Sequence, residues 1–235
     1  PRHLQFIPPL DENGVALVTM GFITYHQSVP VIDFRYLGLP TKLNLDWQDP
    51  WYTAFENRNL TRHHKYPLML YLYVEPRRVR LESLMRVGDL AEMSRFNFSE
   101  IDDKASRHAL MRDHVEAFML NESALDIDGK VVHPDTVTIS YFTVGLSGLT
   151  PVEDPGTVDD ASLLVGVSRQ YYIQVLPQKI QSKWSYFNPR VDRIPFVETD
   201  PAGPLPGFIY QEDPAYGWKN QLKKYEEPVM RPLNV

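Results

Sequence analysis

The chain has 235 residues and no cysteine. That excludes disulfides, thiol catalysis, cysteine-ligated zinc and iron–sulfur clusters, and it leaves the compartment open. No apolar run approaches the ~20 residues that a membrane-spanning helix needs. The strongest candidate, Pro67–Val74, has the length of a strand. Basic charge is sparse: 24 Lys and Arg stand against 30 Asp and Glu, and the formal net charge is −6. No Lys/Arg run is longer than a pair such as Arg77-Arg78, so no nucleic-acid partner is expected. Gly-x-Ser-x-Gly, the P-loop, Gly-x-Gly-x-x-Gly and His-Glu-x-x-His are all missing. No catalytic residue, metal or cofactor is assigned, and a non-enzymatic role is expected.

What the chain does contain reads as mainly β. Hydrophobic residues make up 43%, enough for a core, and the length suits one large β domain or two sandwiches of about 100 residues each. Residues 1–13 read as an extended arm, with polyproline geometry at Pro8-Pro9 and a turn at Asp11–Gly14. Val15–Tyr25 is apolar on both faces and predicts an interior strand. Further strands are predicted at Val31–Tyr36, Leu43–Trp47, Leu68–Val74, Val79–Val87, Thr136–Val144 and Leu163–Val175. Asp128-Gly129 signals a two-residue hairpin. Ile101, Ala105, His108, Met111, Val115 and Phe118 recur at helical spacing behind a capping-box-like Ser99-x-x-Asp102. A weaker helix covers Leu90–Met93. The predicted architecture is one or two immunoglobulin-like β-sandwiches with one inserted amphipathic helix and extended terminal arms. Its parts are an N-terminal arm (1–13), a first sandwich region (14–98), the helix (99–120), a second sandwich region (121–195) and a C-terminal arm (196–235).

Two segments look related. Leu39–Trp47 and Leu176–Trp184 both read Leu-Pro-x-Lys-apolar-x-x-x-Trp. In each, Leu-Pro closes a strand and the following stretch delivers a tryptophan to a core face. Trp47 and Trp184 are therefore expected to anchor two related cores. The alternative makes Trp47, Trp51 and Trp184 an aromatic platform for a carbohydrate or other ligand.

Other candidates have plainer readings. A metal site from His26, His63 and His64 is an alternative to a solvated basic loop. His108, on the apolar helix face, reads as a hydrogen-bonded core histidine. Asp46 and Asp49 beside Trp47 read as turn formers, and Glu153-Asp154 with Asp159-Asp160 as an acidic loop lacking EF-hand spacing. Three Asn-x-Ser/Thr triplets begin at Asn59, Asn97 and Asn121 and barely exceed chance.

The tail is distinctive. Between Pro195 and Val235, seven prolines alternate with aromatics. Such a segment orders at low entropic cost and either packs on its own domain or wraps a partner. Phe208, Tyr210, Tyr216 and Trp218 are the predicted partner-binding residues. The stretch Tyr73–Glu82, followed by Gly88-Asp89-Leu90, and the segment Ile127–Pro134 are similar to exoplasmic domains of bacterial HupE/UreJ-like membrane proteins. That resemblance implies an exported, sandwich-like protein near a bacterial membrane. Metal transport does not carry over, because no membrane segment is present in the sequence. The chain begins at Pro1 rather than Met, which favours a processed, exported form. The expected role is a non-catalytic accessory or scaffold subunit of an extracytoplasmic, membrane-associated assembly of protein subunits. A ligand-binding module, and an enzyme or metal-binding protein with a hidden site, are the alternatives.

Overall fold

A computed structural model describes residues 2–32, 35–57, 60, 66–94, 101–145 and 148–222. The fold is mainly β, as expected. In chain order the strands begin with β1 (His3–Phe6), β2 (Met20–Phe22), β3 (Tyr25–His26), β4 (Val29–Pro30), β5 (Arg35–Leu37), β6 (Thr41–Asn44), β7 (Ala54–Phe55), β8 (Leu68–Glu75) and β9 (Arg78–Arg86). Helices α1 (Val87–Ser94) and α2 (Lys104–Glu122) follow. Then come β10 (Leu125–Ile127), β11 (Lys130–Val132), β12 (Thr136–Gly145), β13 (Gly148–Val152), β14 (Leu164–Tyr172), β15 (Lys179–Lys183), β16 (Arg193–Asp200), β17 (Gly203–Tyr210) and β18 (Ala215–Lys219). Among the described residues no helix is long and apolar enough to cross a membrane.

The chain divides into two compact units. The first holds Pro1–Pro67, Leu84–Val115 and Ile139–Gly166; the second holds Leu68–Ser83, Glu116–Thr138 and Val167–Val235. Each unit therefore draws on three separated segments, unlike the expected linear succession of 14–98 and 121–195.

In the first unit, β1 pairs with β6 from His3↔Asn44 to Phe6↔Thr41, and β6 pairs with β7. The expected N-terminal arm is thus partly a sheet strand. Phe6, Phe22 and Phe55 close on one another with ring centroids 5.7–5.9 Å apart, over a core that includes Val31, Ile32, Leu37 and Leu43. The long interior strand expected at Val15–Tyr25 does not form. The Asp11 carboxylate accepts from the Asn13 and Val15 amides, and Leu17 N donates to Pro9 O. That turn claims the backbone bonds a strand would use, and leaves Val15, Leu17 and Val18 exposed. Further along, Arg86 and Asp89 form a buried pair, with the guanidinium 4.5 Å from the Trp51 ring. Burial pushes the Arg86 guanidinium down, opposed first by Asp89.

In the second unit, strands β14, β9, β8, β16 and β17 lie side by side in that order, and β11, β10, β15 and β18 form another sheet. Alternation is clear in β15, where Ile180 and Ser182 are buried and Lys179, Gln181 and Lys183 exposed. β10 and β11 are joined by Asp128-Gly129, both at positive φ (50° and 83°), as the hairpin signal requires. β16 runs antiparallel to β17 and parallel to β8, from Phe196↔Leu70 to Thr199↔Tyr73. That parallel pairing departs from an all-antiparallel sandwich. Phe196 on β16 meets Tyr216 on β18 with ring centroids 5.0 Å apart.

The predicted helix is present as α2, shifted toward the C-terminus. Asp103 caps it, accepting from Ser106 N at 2.8 Å. Hydrogen bonds from Ser106 hold the Asp103 carboxyl below its ordinary value. Ser99, the predicted cap, lies outside the described residues. The weaker helix is present as α1.

Candidate functional site

Strands β16 and β17 carry the most distinctive surface chemistry of the second unit. Their register runs from Arg193↔Tyr210 to Asp200↔Gly203. Tyr210 exchanges both backbone bonds with Asp213, at 3.3 and 3.1 Å, so its amide and carbonyl point away from β16. With period two, those of Phe208, Pro206 and Pro204 do as well. The two prolines therefore sit where their missing N–H costs the ladder nothing. β17 ends its sheet. Among the described residues its outer edge presents the carbonyls of Pro204 and Pro206, with no amide at either position.

The two faces of this hairpin differ. On one, Pro204, Pro206, Phe208 and Tyr210 lie beside Pro195 and Val197. Phe208 is 45% exposed, and its ring lies 6.2 Å from that of Tyr210 and 5.4 Å from the Arg193 guanidinium. On the other, the core row Ile194 and Phe196 continues into Glu198 and Asp200, where the strand runs out toward solvent. These carboxylates help line a cleft of about 570 Å3 together with Pro204, Leu205, Trp218 and Lys219. Asp200 is fixed: Oδ2 accepts from Trp218 Nε1 at 2.8 Å and Oδ1 from Ala202 N at 2.7 Å. Among the described residues no such donor reaches Glu198; partial burial, and then Asp200, push its carboxyl above the ordinary value.

The four predicted partner-binding residues thus separate. Phe208 and Tyr210 are exposed. Tyr216 and Trp218 are buried and belong to the core: Tyr216 Oη is hydrogen-bonded to Ser123 Oγ at 2.7 Å, and Trp218 holds Asp200. Both lie on β18, which is a paired strand and not an extended arm. Tyr225 lies outside the described residues.

The tryptophans also separate. Trp184 is 0% exposed and packs edge-on against Phe118 at 5.7 Å, so it is a core anchor and not a platform. Trp51 is buried as well, and its Nε1 donates to Ala161 O. Trp47, expected in a core, is 55% exposed, its ring 4.8 Å from that of His26. The cause is local. Asp46 Oδ1 accepts from Gln48 N and Asp49 N, turning the chain just past β6, and Leu43 takes the core position. A platform reading therefore retains Trp47 alone.

Among the described residues no three His, Asp or Glu side chains are grouped to hold a metal. His26 is buried, with Nδ1 2.7 Å from Thr53 Oγ1; His63 and His64 lie outside the described residues. Asp154 and Asp159 of the acidic loop cap short 3-10 turns, accepting from Gly156 N and Ala161 N. Asn121 lies in the last turn of α2 and its triplet partner Ser123 is fully buried; Asn59 and Asn97 lie outside the described residues.

His108 is buried in the first unit, as expected, with Nε2 3.2 Å from Asp160 Oδ1. Tyr141 Oη donates to His108 O at 3.0 Å. Burial pushes the Tyr141 phenol up to about 12, with Arg112 opposing and Asp160 adding. The folded phenol thus stays neutral above the ordinary value of 10.0 at which it ionises in an unfolded chain. Its stabilisation is complete below that pH and is lost as pH rises through about 12. Alkaline unfolding monitored by circular dichroism, alongside phenolate absorbance, is expected to show a transition in that window. Tyr141→Phe is expected to move it to higher pH.

The chain matches no protein-family model and no curated protein. The functional reading therefore rests on residues alone. Sequence reasoning found Phe208 and Tyr210 but missed Glu198, Asp200 and Arg193. Their signal was the alternation in Arg193–Asp200, which the proline count of the tail obscured.

Proposed function

We propose that this chain is a non-catalytic accessory or scaffold subunit of an extracytoplasmic, membrane-associated protein assembly. Its β domains, built as immunoglobulin-like sandwiches, act as rigid spacers, and the outer face of β16–β17 docks a neighbouring subunit. The observation that carries this reading is the apolar face formed by Val197, Pro206, Phe208 and Tyr210. Exposed aromatics on a paired, proline-stiffened hairpin lose little entropy on docking, and aromatic anchors dominate interface energetics. The similarity of Tyr73–Glu82 to exoplasmic domains of HupE/UreJ-like proteins supports the compartment.

The test is a tagged full-length protein recovered from its native membranes, with and without the paired changes Phe208→Asp and Tyr210→Asp. Both residues are exposed, so stability is expected to change by less than about 1 kcal/mol. The double variant is expected to lose its co-purifying subunit while its thermal midpoint is kept. Full retention of the same partners, or recovery of the wild type only from cytoplasm and without partners, overturns the proposal.

A further inference from the structure

Building on that docking reading, we infer that the β17 edge and the Glu198 cleft receive arginine side chains of the partner subunit. The outward groups of Pro204 and Pro206 accept hydrogen bonds and cannot donate them. A conventional added strand would set its carbonyls against proline rings and leave them without partners at the edge. The occupant that fits must supply donors without needing acceptors. Guanidinium does so, with five N–H groups and no acceptor.

Charge points the same way. Glu198 and Asp200 share one side of β16 at the cleft. Asp200 is tied to Trp218 and Ala202, whereas no donor pairs with Glu198 among the described residues. Lys219, the basic residue lining this cleft, is exposed at its rim. On the opposite face Arg193 already lies over Phe208, and on the same sheet the Arg80 guanidinium is 4.3 Å from the Tyr73 ring. This surface accommodates guanidinium against aromatic rings within its own chain.

The experiment measures fluorescence anisotropy of labelled decapeptides added to the full-length protein. The probes are alternating Arg-Gly, alternating Lys-Gly and alternating Glu-Gly. The Arg-Gly peptide is expected to bind tightest and to weaken with added salt. Glu198→Gln is expected to weaken it roughly tenfold, the loss of one charge-assisted hydrogen bond, with an unchanged thermal midpoint. Equal binding of the Lys-Gly or Glu-Gly peptide, or unchanged affinity in Glu198→Gln, overturns the inference. Should that happen while Phe208→Asp/Tyr210→Asp still abolishes co-purification, only the arginine chemistry fails and the docking face stands.

Discussion

Replacing Gly217 with alanine is expected to unfold the second unit. Gly217 sits in β18 opposite Gln181 of β15, at a φ of +154°. A Cβ there would lie 2.1 Å from Ile180 O and 2.9 Å from Gln181 Cα. Both are backbone atoms of β15, which is itself held on its other side by β10. The strand cannot retreat without breaking one ladder or the other. Backbone strain adds to the collision, since this φ is rarely adopted by residues with a side chain. The expected loss is about 4 kcal/mol, at the extreme of single substitutions. Urea titration followed by tryptophan fluorescence reads it directly, because Trp184 and Trp218 both report on this unit. Gly207→Ala is the control: nothing lies within 4 Å of its added Cβ, and it is expected to fold normally. A Gly217→Ala protein as stable as the control would show that β18 does not lie against β15 in this register.

The second large effect is expected at Arg169. Its guanidinium is 1% exposed, and among the described residues no carboxylate pairs with it. Nη1 donates to Met119 O at 2.9 Å and to Ser123 O at 2.7 Å, and Nη2 donates to Ser123 Oγ at 2.6 Å. Met119 belongs to the last turn of α2 and Ser123 follows it. The guanidinium therefore satisfies carbonyls that the helix end leaves open, and it places positive charge at the negative end of the helix dipole. Arg169→Met keeps the apolar stem and removes all three donors. Stranding those buried acceptors is expected to cost about 4 kcal/mol. Arg169→Lys should recover only part, because one ammonium cannot span the positions the planar fork reaches. Ser123→Ala removes one acceptor of Arg169 and the partner of Tyr216, and is expected to cost about 1–2 kcal/mol. A double-mutant cycle should be strongly non-additive. Strict additivity would mean that Arg169 and Ser123 do not act as one cap.

Periodicity made much of this fold legible. β9 and β12 open on alternating residues, β8 is an apolar run of strand length, α2 follows helical spacing, and Asp128-Gly129 marks its hairpin. Even Arg169 was visible in principle, as a charge on the same face as Val165, Val167 and Tyr171. Register was not legible, and the tail shows why. Proline content suggested an extended arm, whereas Pro204 and Pro206 occupy the outward positions of an edge strand, where a missing donor has no consequence for pairing. Trp47 failed for a related reason. Its segment shares Leu-Pro-x-Lys-apolar and the closing tryptophan with that of Trp184, but Asp46 turns one chain while Lys183 continues the other. A local carboxylate decides that outcome, and a nine-residue pattern does not encode it. Of the candidate site, aromatic content exposed Phe208 and Tyr210; the Glu198 cleft depends on where β16 stops being covered.

The interleaving of the two units sets an order of events during synthesis. All three segments of the first unit have been made once Gly166 leaves the ribosome. The second unit must wait longer, because β8 pairs in parallel with β16, far downstream. Until β16 arrives, β8 presents Leu68, Met69, Leu70, Leu72 and Val74 along an edge with no neighbour on that side. Pairings this distant in sequence close slowly, and an apolar edge left waiting is open to off-pathway association. The nascent chain, more than the finished protein, is therefore where this fold most needs a chaperone.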